Sequence, residues 1–221
     1  ILELYNVMYE QTCKKKWLTM AEDVAMQFAN WVSSYDFVFP PKSTLAKLKK
    51  HTTGVVWANT QNKHGAPGIC THSGVALLRL YRATGNEYFL HLLQLIAQAI
   101  PQCMATKENP IPGLQTSWIS ERVSTTDWLE GIGEIFPGST WSETAMMLTA
   151  TELPGIYVDA DKQRVACFDQ VKATLLKTSK KNILLEVFNP TIYPCTVTIL
   201  VDTKSTVQLP MPPVYKAALI K

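Results

Sequence analysis

No apolar run in this chain approaches the ~18 residues that a membrane-spanning helix needs, so no membrane span is expected. Charge is scarce at 18% of residues, and the net charge of +3 is too mild for a nucleic-acid surface. The one dense basic run, Lys14–Lys15–Lys16, reads as a solvated helix end. Cysteine is sparse, odd in number and scattered, at Cys13, Cys70, Cys103, Cys167 and Cys195. That pattern excludes a disulfide framework, and no C-x-x-C pair suggests zinc. Most of these thiols are expected to act as small buried apolar groups. No strict internal period is present, which argues against a repeat architecture. Neither an initiator Met nor a signal-like segment stands at Ile1, and the chain opens inside a helical pattern (Leu2, Tyr5, Val7–Met8). The expectation is that an N-terminal part of the same protein is missing, so the lack of a targeting segment carries no weight.

What is present describes a globular protein. With 221 residues, of which 47% are hydrophobic, the chain suits one large or two small domains with a real core. Residues 17–33 place Trp17, Met20, Ala21, Val24, Phe28, Trp31 and Val32 near a 3.6 period, which predicts an amphipathic helix. Pro40–Pro41 break the chain after that helix, and Lys42–Lys50 is a short candidate helix. Residues 51–71 hold Gly54, Gly65, Pro67 and Gly68, which forbid a long regular element. Beyond them, Ser73 can cap a helix that Gly85 stops, and Asn86 can cap the next. A two-residue linker makes these antiparallel neighbours, an αα-hairpin. Pro101, Pro110 and Pro112 mark another long connection. A last helix, WSETAMMLTATEL, runs up to Pro154–Gly155. From there on, β-branched runs recur about every ten residues, among them VKATLLK, NILLEVFN and CTVTILVD, as antiparallel strands do. The predicted class is therefore α+β with segregated elements: a helical region over 1–154 and an antiparallel β-domain over 155–221.

Connectivity brings two of the loops together. Segments 51–71 and 101–138 both leave the αα-hairpin at the end away from its turn, so they should meet and form one cleft. The second holds the stretch Gln115–Met147, where Glu121, Asp127, Glu134 and Glu143 alternate with Trp118, Trp128, Trp141 and Arg122. Carboxylates beside indole faces suit a polysaccharide, whose hydroxyls meet acids and whose C–H faces meet rings.

The segments CTHSGVALLRLYRATGNEYFLHLLQLIAQAIPQ, ISERVSTTDWLEGIGEIFPGSTWSETAMMLTATELPGIYV and VFNPTIYPCTVTILVD resemble the C-terminal half of bacterial six-hairpin glycosidase-like proteins. The resemblance implies α/α-toroid helical hairpins followed by a small β-sandwich-like domain. It also implies a carbohydrate substrate and a periplasmic or secreted location. It is weak for reaction, since toroids host hydrolases, lyases and epimerases.

Glycoside hydrolysis needs two carboxyl groups, one of them protonated to release the leaving oxygen. Asp127 is a candidate acid or base beside Trp128, or else a helix cap. Glu143 either completes a capping box with Thr140 or points from a first helical turn into the cleft. Glu134 is a third candidate carboxylate, or a partner for Arg122. Glu121 and Arg122 form either a surface pair or a sugar clamp. Trp57, Trp118, Trp128 and Trp141 are candidate stacking platforms as well as candidate core or loop-anchoring residues. A polysaccharide lyase would use a histidine instead: His64, expected exposed in a Gly-rich loop, or His72, which also suits a helix cap. His51 and His91 look incidental. No cofactor and no metal are expected, because two loop histidines lack a third ligand. The expected partner is an oligo- or polysaccharide, and the expected function is glycoside hydrolysis. The alternatives are a lyase and a non-catalytic carbohydrate-binding or structural fragment.

Overall fold

The computed structural model describes residues 1–59, 64–124, 135–136, 140–178, 182–203 and 215–220. Two compact units divide the chain. The first comprises Ile1–Ala25, Val75–Gln94 and Ala150–Lys221, the second Met26–Gly74 and Leu95–Thr149.

In the first unit, helix α1 (Leu2–Thr12) ends at Cys13, whose left-handed backbone (φ 51°) lets its N–H reach the Tyr9 carbonyl at 2.7 Å. Helix α2 (Lys15–Ala29) starts two residues later. Helices α4 (Val75–Thr84) and α5 (Glu87–Ala99) are also joined by two residues. Gly85 supplies the positive φ of 71° that ends α4, and its N–H bonds the Tyr81 carbonyl at 2.6 Å. Asn86 caps α5 by accepting from the Tyr88 N–H at 3.1 Å. Asn6 of α1, buried, donates to the Ala76 carbonyl of α4 at 2.8 Å, and Arg79 of α4 pairs with Glu10.

The same unit holds a four-stranded sheet in the order β10-β9-β5-β6, formed by β5 (Ile156–Asp159), β6 (Arg164–Cys167), β9 (Cys195–Asp202) and β10 (Tyr215–Ile220). Strands β7 (Lys172–Thr178) and β8 (Ile183–Phe188) form a separate antiparallel ribbon. Ile156, Val158, Cys167, Val171 and Val197 are buried together, with Ala173, Leu175, Ile183, Leu185 and Val187 of the ribbon packed against them. The alternation in KATLLKT and ILLEVF sends those side chains inward, as the period of two requires. Helix α4 is tied to the strands by charge as well. Arg82 donates to both carboxylate oxygens of Asp202, at 2.5 and 3.0 Å, with both side chains buried. The Tyr157 hydroxyl adds a bond to Asp202 at 2.8 Å, and Tyr81 donates to Asp159 at 2.7 Å. Burial, reinforced by the Asp159 carboxylate for Tyr81 and by Asp202 for Tyr157, holds both phenols well above their ordinary pKa.

The second unit contains the one-turn helix α3 (Thr44–Lys47), most of α6 (Thr140–Glu152) and a four-stranded sheet. That sheet runs in order through β1 (Val56–Asn59), β2 (His64–Ala66), β3 (Arg122–Ser124) and β4 (Ile135–Phe136). Its core gathers Leu45, Ile100, Cys103, Ile119 and Val123, with Phe39, Met104 and Met146 against them. Burial pushes the Cys103 thiol up to about 12, so it packs as an apolar group. Cys103 and Cys167 are buried as expected, whereas Cys13 and Cys70 are exposed. Gly54 (φ 93°) lies where a Cβ would come within 2.0 Å of the Leu95 carbonyl oxygen, so only glycine fits.

Two fold expectations are corrected. Among the described residues, six helical hairpins of an α/α toroid are not present, and the helices and strands are not segregated, because strands lie on both sides of residue 154. The Gly- and Pro-rich segments expected to be loops between helices contain short extended runs, Val56–Trp57 and Val123–Ser124, that are joined through β2. The later sheet is also not purely antiparallel. Strands β5 and β9 pair in parallel, Ile156 opposite Ile199 through Asp159 opposite Asp202. Among the described residues, no helix is long and apolar enough to cross a membrane.

Candidate functional site

The two loops expected to meet do so as neighbouring strands. His64 of β2 lies opposite Ser124 of β3, and Gly65 opposite Val123. This pairing buries His64, which is 3% exposed, so its imidazole sits inside the unit instead of in an open loop. His72 is exposed, on a tight turn closed by its N–H to the Ile69 carbonyl at 2.8 Å.

The segment just before β3 is held from two sides. On one side, Ala105 N–H bonds the Trp118 carbonyl at 2.9 Å and Ser120 N–H bonds the Cys103 carbonyl at 3.1 Å. On the other stands the first turn of α6. Glu143 Oε1 accepts from the Ile119 N–H at 3.2 Å, and Ser142 Oγ donates to the Glu121 carbonyl at 3.3 Å. Glu143 is thus committed to the 118–122 backbone, and its place in a first helical turn suits a negative charge. Its other oxygen, Oε2, is buried with no hydrogen-bond partner among the described residues. Glu121 and Arg122 lie together at 3.7 Å, each about a third exposed. Beside them, Trp118 and Trp141 are 44% and 57% exposed, leaving much of each indole open to solvent.

The structure therefore brings Glu121, Arg122, Glu143, Trp118 and Trp141 to one region at the start of α6. It separates Trp57 from the role of a stacking platform. That ring packs edge-on against Phe37 at 5.5 Å, in a row that continues from Phe37 to Tyr35 and Phe39. Asp127, Trp128 and Glu134 lie outside the described residues. Among the described residues, no group of three or more His, Cys, Asp and Glu side chains is placed to hold a metal ion.

A second polar group was missed by sequence reasoning. His51 Nδ1 lies 2.8 Å from Asp36 Oδ2. The other carboxylate oxygen accepts from Thr52 N–H at 2.8 Å, Thr53 N–H at 2.9 Å and Thr53 Oγ at 2.8 Å. Partial burial pushes the Asp36 pKa upward, but the bonds from His51, Thr53 and Thr52 outweigh it and hold the carboxyl well below its ordinary value. No motif marks this pair. Fifteen positions separate its members, and only the turn that returns Thr52–Gly54 beside Ser33 brings them together.

Compared with protein-family models, with curated proteins and with solved structures, the chain matches none.

Proposed function

We propose that the chain processes carbohydrate, as a glycoside hydrolase whose carboxylates are grouped around the start of α6. The observation that carries this reading is that the first turn of α6 holds the 119–121 backbone, through Glu143 Oε1 and Ser142 Oγ, and so fixes the partly exposed Glu121–Arg122 pair on a segment that carries the open indole of Trp118, with that of Trp141 at the start of α6. Acids suit sugar hydroxyls and the glycosidic oxygen, and half-exposed indoles suit the C–H face of a pyranose. Arg122, paired with Glu121, orients that carboxylate and offers donors to a bound hydroxyl. Asp127 and Glu134 remain candidates for the second member of an acid–base pair. The lyase alternative fits less well, because burial takes His64 away from any substrate proton and leaves only His72 open.

Release of reducing ends from a panel of neutral and uronate-containing oligosaccharides tests the reading. Glu143→Gln and Glu121→Gln should each lower turnover by about 100-fold or more, with circular dichroism unchanged. Trp118→Ala and Trp141→Ala should chiefly raise KM. Undiminished turnover in both carboxylate variants would remove this assignment. Products that absorb in the ultraviolet, as unsaturated uronates do, would replace hydrolysis by elimination.

A further inference from the structure

The Asp36–His51 pair lines a hollow of about 230 Å³, together with Thr53, Leu95, Gln98 and Gln102. We propose that this hollow binds a small neutral polyol, of about monosaccharide size, with His51 Nε2 accepting a hydrogen bond from one hydroxyl.

The assignment rests on what each wall can offer. Asp36 accepts three hydrogen bonds at Oδ1 and one, from His51, at Oδ2, so it positions the neighbours that line the hollow with it. Because its oxygen is an acceptor, the bond to His51 selects the tautomer protonated at Nδ1, and Nε2 of the neutral ring is then an acceptor. The His51 side chain is 72% exposed, so that nitrogen is open to a ligand. Thr53 Oγ donates to Asp36 and is not aimed at the imidazole, so the group lacks the nucleophile of a hydrolytic triad and reads as a binding site.

Gln102 brings an amide, which donates and accepts at once, as a hydroxyl does. Leu95 supplies an apolar patch for C–H groups. Charge narrows the choice further. The Asp36 carboxylate repels an anion, and among the described residues no Lys or Arg lines the hollow to offset it. Size agrees as well: a volume of about 230 Å³ lies below the ~300 Å³ at which drug-sized pockets begin. The hollow shares no residue with the Glu121–Glu143 group, so this inference stands independently of the proposed hydrolytic function.

The test is a titration of the full ¹⁵N-labelled chain, at mildly alkaline pH, with glycerol, glucose, galactose and mannose. Inorganic phosphate and methylammonium serve as controls, and the imidazole nitrogens are read by NMR. At least one polyol should shift the His51 Nε2 signal saturably, and neither control should. His51→Phe and Gln102→Leu should each weaken binding by about tenfold, with unchanged circular dichroism. Asp36→Asn should weaken binding too, through loss of the fixed tautomer. Should that variant fail to fold, the other two carry the test. No saturable shift with any polyol, an equal shift with phosphate or methylammonium, or undiminished affinity in both His51→Phe and Gln102→Leu would overturn the proposal.

Discussion

Asp36 shows how local contacts set the behaviour of a single residue. Burial alone would favour its neutral form, yet four donors converge on two oxygens and the ionised form prevails. Linkage gives the sign of the consequence. The folded pKa lies below the unfolded value of about 3.9, so the unfolded chain binds the proton more readily. The stabilisation is fully present above that value and is lost as pH falls through it toward the folded pKa. Thermal unfolding of the native chain should therefore show a fall in Tm between about pH 5 and pH 3, and part of that fall should be missing in Asp36→Asn. Parallel pH profiles for the two proteins would show that Asp36 plays no such part. Little of this was legible in the sequence. Asp36 sits among Ser34, Tyr35 and Phe37 without a motif, and His51 looked incidental. Glu143 was legible in one respect, its place in a first helical turn. The sequence did not show that its carboxylate would reach the Ile119 amide in preference to its own helix.

At the scale of elements, the αα-hairpin was readable because its signals are local. Gly85 stops one helix and Asn86 caps the next, and both act within a few residues of themselves. The strands β7, β8 and β9 were readable for the same reason, from alternation and turn residues. The short strands β1 to β4 were not, since runs of two to four residues become strands only when a partner from far along the chain arrives. The tie between α4 and β9 belongs to this class. Arg82 and Asp202 stand 120 positions apart and are buried in one bidentate pair. Asp202→Asn should cost about 3–5 kcal/mol in urea unfolding, because it leaves a buried guanidinium without its counter-charge. The double replacement Arg82→Met with Asp202→Leu should cost less than the single one, since it removes both charges. Equal losses in the two proteins would mean that the pair's charge is not what holds the strand to the helix.

For the whole molecule, charge and exposed apolar surface govern solution behaviour. A net charge of +3 and an isoelectric point near 8.5 leave little repulsion between copies at mildly alkaline pH. Leu176, Leu184 and Phe188 meanwhile expose more than half of their surface on the outer face of the β7–β8 ribbon. Turbidity against pH should peak near the isoelectric point, and replacing these three residues by Thr should lower that peak without lowering Tm. An unchanged peak would locate the association elsewhere. The amino-acid sequence by itself determined the local punctuation of this chain: where helices begin and stop, which runs alternate, and which residue types are available for chemistry. Those properties depend on neighbours within a turn or two. Only the tertiary structure decided that the strands are shared between both halves of the chain, that His64 is buried, and that Asp36 meets His51. Such outcomes depend on which distant segments become neighbours, and a hydrogen bond across 15 or 120 positions leaves no periodic trace in the residues that make it.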